Sequence, residues 1–315
     1  YFCYNLKSNH MFSKKIKQNI LYSLGLVFLN ICSFVVGIIP RRYLYSFARQ
    51  ISYLAYRFNR KQREIALESL SLAFGKEKTK EEIEKIARDC FVFMAKASIE
   101  LMFLMDRPKL LKQRVSFSGK EKLDSALKKG NGVILVSAHF GNFPLMMARL
   151  SQEGYKTAGI MRPMRDPKIE ELFLNKRNRL GIITVYAQPR KACVDNSIRV
   201  LRDNGLLFVP IDQHFGTGGV MVDFFGRKAA TATGPVVLAQ RTKSAIVPCF
   251  IVRQPDDSHL IIFEEPLILE EADTSEATIV KNIQKLTGII ETYIRRYPAE
   301  WGWVHRRWKN EMKKQ

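Results

Sequence analysis

The segment that decides the fold runs Gly132-Val-Ile-Leu-Val-Ser-Ala-His-Phe-Gly-Asn-Phe-Pro144. Its first part is a short, wholly apolar run that begins at a glycine, which is typical of a strand buried on both faces of a sheet. His139 follows this strand in a loop, and Pro144 is tolerated in the first turn of the helix that comes next. The segment therefore predicts a strand, a loop that carries a histidine, and a helix, in the manner of α/β proteins.

The same rhythm continues to the end of the chain. Apolar strand candidates alternate with helical segments, such as 144–152, 235–242 and a final helix at 275–296. We predict an α/β fold with a mixed, largely parallel central sheet flanked by helices. The strand candidates outside the opening segment are 157–161, 182–186, 205–210, 220–225, 245–252 and 260–263.

The chain before the sheet has a different character. We predict helices over 43–110, with Thr79 as a helix N-cap followed by Glu81 and Glu82 in the first turn. The α/β part covers 130–315, so that residues 43–315 form one domain with a helical first part. A chain of 315 residues with 46% hydrophobic residues is large and apolar enough to bury a full core.

An uncharged stretch lies near the N-terminus, between three lysines and Arg41. Residues 18–40 carry no charge, and the apolar part, 20–39, is about long enough to cross a bilayer. We predict a membrane-anchor helix at 11–42, and therefore an N-terminal membrane-associated helical region. A helix buried against the main domain is the alternative interpretation. Residues 1–10 have no periodicity, and we expect them to be an added or disordered segment.

The formal net charge of +21 attracts polyanions, which include anionic lipid, an acidic carrier protein and nucleic acid. The chain has no basic-helix, finger or RNA-binding signature, so we expect no nucleic-acid partner. His139, His214 and His305 lie in different segments without the spacing of metal ligands, so we expect neither a metal nor a cofactor.

His139 occupies a position that favours chemistry. Ligands bind at the carboxyl ends of strands in open α/β sheets, and histidine titrates near neutral pH, which suits a general base acting on a hydroxyl. Backbone N–H groups near Gly141 and Asn142, at the start of the next helix, are candidates to stabilise an oxyanion. The alternative is a structural histidine bonded to the backbone at a strand end, and position alone does not decide between the two.

The sequence His139-Phe-Gly141-Asn142-Phe143 resembles the motif of the late (lauroyl/myristoyl) acyltransferases of bacterial lipid A biosynthesis, within the lysophospholipid acyltransferase superfamily. The resemblance implies an O-acyltransferase with His139 as its catalytic base. The family places Asp or Glu five residues after the histidine to orient and polarise it, whereas this chain has Pro144. Asp212, at the end of another predicted strand, is the first candidate for the missing carboxylate, and Asp223 is the second.

The resemblance extends over about residues 40–310 and implies further site residues. Arg162, in the block after the second strand of the α/β part, takes the position of a family arginine that contacts phosphate or the donor. Asp223, Arg227 and Thr233 fall in later blocks that resemble the family, and we expect them to bind substrate. The alternatives are a surface arginine in a turn for Arg162 and a plain helix N-cap for Thr233.

The C-terminus combines aromatic and basic residues: Tyr297-Pro298, Trp301, Trp303 and His305-Arg-Arg-Trp-Lys309. This ending also resembles the family. Tryptophan and basic side chains suit the lipid headgroup level of a membrane, whereas packing of the tryptophans in the core with a solvated basic tail is an equal alternative.

The resemblance implies an acyl carrier protein, or less often acyl-CoA, as donor and a membrane lipid as acceptor. The acceptor is a lipid A precursor, a lysophospholipid or another glycolipid, at an anionic membrane surface on the cytoplasmic face of the inner membrane. Two other hypotheses remain at this point. The missing carboxylate at Pro144 motivates a catalytically weak lipid-binding relative, and charge alone motivates a nucleic-acid-binding protein.

Overall fold

The computed structural model describes residue 27, residue 31 and residues 34–309. The segment 1–10 and most of the predicted anchor, 11–42, lie outside the described residues. Residues 34–38 are helical. Within the described part of the chain, no helix is both long and apolar enough to cross a bilayer. The predicted anchor therefore stays a prediction.

The first part of the fold is helical, as predicted. The helices α1 (Arg41–Phe58), α2 (Arg60–Phe74), α3 (Lys80–Leu104) and α4 (Pro108–Arg114) precede the first strand. The start of α3 confirms the predicted cap. The N–H of Glu82 donates to the Thr79 hydroxyl at 3.3 Å, and the Glu82 carboxylate accepts from the N–H of Thr79 at 2.8 Å.

A seven-stranded sheet follows, in the spatial order β1-β9-β8-β2-β5-β3-β4. Every neighbouring pair is parallel except β8 and β9. This confirms the predicted mixed, largely parallel sheet. The strands are β1 (Val115–Ser118), β2 (Val133–Ser137), β3 (Thr157–Met161), β4 (Ile183–Tyr186), β5 (Leu206–Pro210), β8 (Ala245–Arg253) and β9 (His259–Phe263).

Helices cover both faces of this sheet, which explains the continuous apolar sequence of β2. Ile134 and Val136 pack into one hydrophobic cluster, whereas Val133 and Leu135 pack into another. Alternate residues of one strand thus contribute to two separate halves of the core. The helices along the sheet are α5 (Lys120–Leu127), α6 (Phe143–Gln152), α7 (Pro167–Arg179), α8 (Arg190–Arg202), α9 (Gly234–Thr242) and α10 (Ser275–Arg296).

The predicted strand at 220–225 forms a separate hairpin instead of joining the central sheet. β6 (Val220–Phe224) pairs antiparallel with β7 (Arg227–Thr231). The two turn residues, Phe225 and Gly226, have φ angles of 53° and 67°. Positive φ at both central positions is the geometry of a two-residue hairpin turn, and it reverses the chain before a longer strand can form.

A buried carboxylate ties the helical first part to the sheet. Glu100 on α3 is 2% exposed. Its carboxylate accepts hydrogen bonds from both terminal nitrogens of Arg253, at 2.6 and 2.8 Å. Its other partners are Nε2 of His259 at 3.1 Å, the Tyr45 hydroxyl at 2.9 Å and Nδ2 of Asn142 at 3.0 Å. Burial alone would raise the pKa of Glu100, but His259 and Arg253 outweigh it and lower that pKa to about 2.

We expect Arg253→Met to lower the free energy of unfolding by about 3–5 kcal/mol, because it leaves the buried Glu100 charge without its bidentate partner. Arg114→Met is the matched control. Arg114 pairs with Asp256, whose side chain is largely exposed, so its removal costs about 1 kcal/mol or less. Chemical denaturation of both variants measures the difference, and equal losses would contradict the role given to Glu100.

Candidate active site

The parallel register of β2 and β5 brings two polar side chains together. Ser137, the last residue of β2, lies opposite Pro210, the last residue of β5. The N–H of Ile211 extends this pairing by donating to the carbonyl of Ser137 at 3.2 Å. His139 and Asp212 each come two residues after their strand, and Nδ1 of His139 lies 2.9 Å from Oδ1 of Asp212.

Asp212 is held as a buried, ionised carboxylate. The residue is 3% exposed, and its second oxygen, Oδ2, accepts the indole N–H of Trp301 at 2.7 Å. Burial alone would raise the pKa of Asp212, but the charge and hydrogen bond of His139, together with the bond from Trp301, lower it. Each carboxylate oxygen therefore has its own donor, and Asp212 is ionised at neutral pH.

The pKa of His139 is shifted in the opposite direction to that of Asp212. Burial alone would lower the pKa of His139, but the charge and the hydrogen bond of Asp212 outweigh burial and raise it. The His139 side chain is 29% exposed. Since Nδ1 carries the bond to Asp212, Nε2 is the ring nitrogen available to a substrate. A histidine in this state has a higher proton affinity than an isolated imidazole, because Asp212 stabilises the imidazolium.

Two other aromatic rings contact the His139 ring. The Phe143 ring meets the His139 ring edge to face, with the two ring centres 5.4 Å apart. Phe143 also stacks on Phe208, with ring centres 5.5 Å apart. His305, from the C-terminal segment, lies with its ring centre 5.9 Å from that of His139. The His139 ring is thus fixed by a carboxylate and an apolar ring, with a second imidazole beside it.

The C-terminal segment holds the loop that carries His139. The N–H of Gly141 donates to the carbonyl of Glu300 at 2.9 Å, and the N–H of Gly302 donates to the carbonyl of His139 at 3.3 Å. The Gly141 amide, expected to face an oxyanion, is therefore bonded within the protein.

The side chain of Glu300 is itself buried. Burial raises the pKa of the Glu300 carboxyl to about 7, despite a bond from the N–H of Arg253 and the charge of that residue.

Gly141 is required for packing against β8. Its φ angle is 59°, and a Cβ atom added there would lie 1.8 Å from the carbonyl oxygen of Ile251. The close approach that this glycine permits is made by the backbone of Ile251. Asn142 occupies the N-cap position of α6, but its side chain donates to Glu100 and to the carbonyl of Ala97 instead of capping the helix. The first N–H groups of α6 therefore have no side-chain cap.

The three C-terminal tryptophans, Trp301, Trp303 and Trp308, are buried in the core. Of the two interpretations of this segment, the structure thus supports packing and contradicts a position at the lipid headgroups. Arg307 is buried as well. Its guanidinium donates to the carbonyls of Gln213 and Ala230, each at 2.7 Å, and so fixes the chain that directly follows Asp212.

The other predicted site residues lie apart from the bond between His139 and Asp212. Arg162 is exposed and directly follows β3, which pairs with β5, so it lies at the same edge of the sheet. Thr233 is the N-cap residue of α9, and its side chain makes no capping hydrogen bond. Substrate contact by Arg162 and Thr233 stays a prediction.

The hairpin residues have partners of their own. Asp223, the second candidate for the missing carboxylate, is exposed and forms an ion pair with Lys228 at 3.0 Å, whereas Asp212 is the residue bonded to His139. Arg227 donates from Nε to the carbonyl of Leu72 at 3.0 Å. Their contact with substrate also stays a prediction.

Three residues that shape the site were missed by sequence reasoning. Trp301 bonds Asp212, Glu300 holds the Gly141 amide through its carbonyl, and Glu100 turns the Asn142 side chain away from α6. The first had a signal in the sequence, because a buried tryptophan usually needs a partner for its indole N–H. Neither glutamate stands in a recognisable pattern.

A histidine bonded to a buried carboxylate, at the carboxyl ends of parallel strands and beside an uncapped helix start, is an arrangement in an α/β protein whose geometry suits proton abstraction and oxyanion stabilisation. The sequence profile of the bacterial lipid A biosynthesis acyltransferases matches residues 11–310. The chain belongs to this family. It is accordingly an O-acyltransferase that acts on a lipid acceptor.

Individual relatives agree with the family. The chain is 26% identical over 275 residues to a lipid A biosynthesis palmitoleoyltransferase of Escherichia coli. The aligned region covers 82% of this chain and 83% of the relative. It is 25% identical over 280 residues to the lauroyltransferase of lipid A biosynthesis from the same organism, with 86% and 87% covered. A phosphatidylinositol mannoside acyltransferase of Mycolicibacterium smegmatis is 24% identical over 189 residues, which is 60% of each chain.

The opposed shifts of Asp212 and His139 predict a measurable titration. In the wild type, the pKa of His139 lies above the ordinary histidine value of about 6.5. In Asp212→Asn it falls below that value, because burial then acts without a compensating charge. NMR titration of the histidine rings tests this, with His214 as the internal control whose pKa is lowered in both proteins. An unchanged His139 pKa in the variant would contradict the coupling.

Proposed function

We propose that the chain transfers a fatty acyl group from an acyl thioester to a hydroxyl of a membrane lipid such as a lipid A precursor. The observation that carries this proposal is the 2.9 Å bond between His139 and the buried Asp212. It leaves Nε2 of His139 able to take the proton of an alcohol. The names of the relatives, which refer to lipid A and to phosphatidylinositol mannoside, support a glycolipid acceptor.

The reaction requires one proton to move twice. His139 takes the proton of the acceptor hydroxyl while the oxygen attacks the carbonyl carbon of the thioester. Asp212 stabilises the imidazolium that forms. Collapse of the tetrahedral intermediate breaks the carbon–sulfur bond, and the imidazolium returns the proton to the leaving thiolate. The backbone N–H groups of Asn142 and Phe143, at the uncapped start of α6, support the oxyanion in place of the bonded Gly141 amide.

For the donor we propose acyl carrier protein, with acyl-CoA as the alternative. Both present the acyl chain as a thioester. A net charge of +21 supports an acidic donor, since it accelerates encounter between opposite charges. Arg162, exposed at the edge of the sheet that carries His139, is suited to a phosphate of donor or acceptor. A lysophospholipid or another glycolipid is the alternative acceptor.

For location we propose the cytoplasmic face of the inner membrane, with α1 lying on the bilayer surface. Helix α1 buries one face, formed by Leu44, Ala48 and Ser52. Beside this buried face, α1 exposes large apolar side chains at helical spacing: Phe47, Ile51, Leu54 and Phe58. An amphipathic helix with basic residues along an apolar stripe is typical of binding at an anionic membrane interface.

His139→Ala should lower the rate of acyl transfer by about 10²–10⁴-fold, which is the usual contribution of a general base. The assay uses acyl carrier protein or CoA thioesters with a lipid A precursor, a lysophospholipid or a glycolipid as acceptor, and mass spectrometry detects the product. His214→Ala is the control, because the His214 ring does not contact the His139 ring. Turnover that survives His139→Ala unchanged would reject His139 as the base.

The α1 surface predicts a specific loss of membrane binding. The double variant Ile51→Ser and Leu54→Ser should weaken binding to phosphatidylglycerol vesicles about tenfold or more, since each buried aliphatic side chain contributes about 1.5–3 kcal/mol. Met221→Ser is the matched control, because Met221 is an exposed apolar residue on the β6–β7 hairpin. Vesicle sedimentation measures both, and equal binding of the double variant and the wild type would contradict the proposed orientation.

A further inference from the structure

The C-terminal segment places a second imidazole beside His139. The ring planes of His139 and His305 make an angle of 55°, with centres 5.9 Å apart. The backbone between them is fixed, because the N–H of Gly302 donates to the carbonyl of His139 and the N–H of His305 donates to the carbonyl of Gly302. The position of His305 is thus set by the same segment that holds the His139 loop.

The His305 ring has no structural task that the fold reveals. The residue is exposed, and within residues 34–309 no side chain is hydrogen-bonded to its ring nitrogens. Its neighbour Trp301, by contrast, donates to Asp212, and Arg307 bonds two carbonyls. A polar ring beside the partly exposed His139, with no hydrogen-bond partner among the described side chains, can offer its hydrogen bonds to a substrate.

The surroundings of His305 keep it neutral. Partial enclosure of the ring lowers the pKa of His305, and the positive charge that His139 can carry lowers it further, while Asp212 acts in the opposite direction. A neutral imidazole keeps one N–H donor and does not add a second positive charge next to the His139 imidazolium. Two adjacent histidines therefore have different properties, one suited to accept a proton and the other to donate a hydrogen bond.

The proposed acyl transfer requires a hydrogen-bond donor of the kind that a neutral His305 provides. Acyl transfer places negative charge on the carbonyl oxygen of the thioester, and the Gly141 amide is bonded to Glu300. We infer that His305 is a catalytic residue that donates a hydrogen bond to this oxygen as the charge develops. The inference rests on the proposed function. His305 keeps its proton throughout, because the proton taken from the acceptor hydroxyl by His139 is the one returned to the thiolate when the carbon–sulfur bond breaks.

The test compares His305→Ala, His305→Gln and the control His214→Ala in the acyl-transfer assay with a lipid A precursor. Removal of one oxyanion donor usually lowers kcat by about 10²–10³-fold. We expect this loss in His305→Ala with little change in KM. We expect His305→Gln to recover at least about a tenth of wild-type kcat, because its amide N–H can replace the donor. Thermal unfolding of each variant verifies that the fold is retained.

The outcomes separate the two proposals. If wild-type turnover is lost in His139→Ala but retained in His305→Ala, the role of His305 is overturned and the proposed function stands. A higher KM with unchanged kcat in His305→Ala would also overturn it, since the residue would then act in ground-state binding. If His305→Gln is as inactive as His305→Ala, a hydrogen-bond donor alone is rejected. A wild-type chain without turnover on any acceptor would overturn both proposals.

Discussion

The carboxylate of Asp212 is the constraint on which the site depends. It is buried, and it has two donors, Nδ1 of His139 and the indole N–H of Trp301, so that neither oxygen is left without a partner. An ionised group in the core is stable only with such partners. The charge of Asp212 in turn raises the pKa of His139 against the effect of burial. The hydrogen bond between Asp212 and His139 thus both stabilises the buried charge and raises the pKa of His139.

Segments far apart in the chain complete this arrangement. The adjacent parallel strands β2 and β5 supply the pair, and the C-terminal residues 300–302 bond the loop that carries His139. Glu100, from the helical first part, holds the side chain of Asn142. The uncapped start of α6 is a consequence of that contact, because an asparagine at this position would otherwise bond the first amides of its own helix.

Much of this architecture was predictable, because the strands of a buried sheet have continuous apolar sequences and follow one another at regular intervals. Asp212 was the first of two candidate partners for His139 in the sequence, because both residues follow closely after such strands, and the structure bonds Asp212 instead of Asp223 to the histidine. The strands β1 and β7 were missed, because the alternation of Val115-Ser-Phe-Ser118 covers only four residues and Arg227-Lys-Ala-Ala-Thr231 begins with two basic residues. The bonded state of the Gly141 amide depends on a contact with Glu300, more than 150 residues away, and no local pattern records it.

In the proposed mechanism, Asp212 supplies the carboxylate that Pro144 cannot. The single-turnover rate of acyl transfer by Asp212→Asn tests it most directly, because the substitution keeps the size of the side chain and removes its charge. We expect the rate to fall by about 10²–10⁴-fold, which is comparable with the loss of a general base. A rate equal to that of the wild type would contradict it.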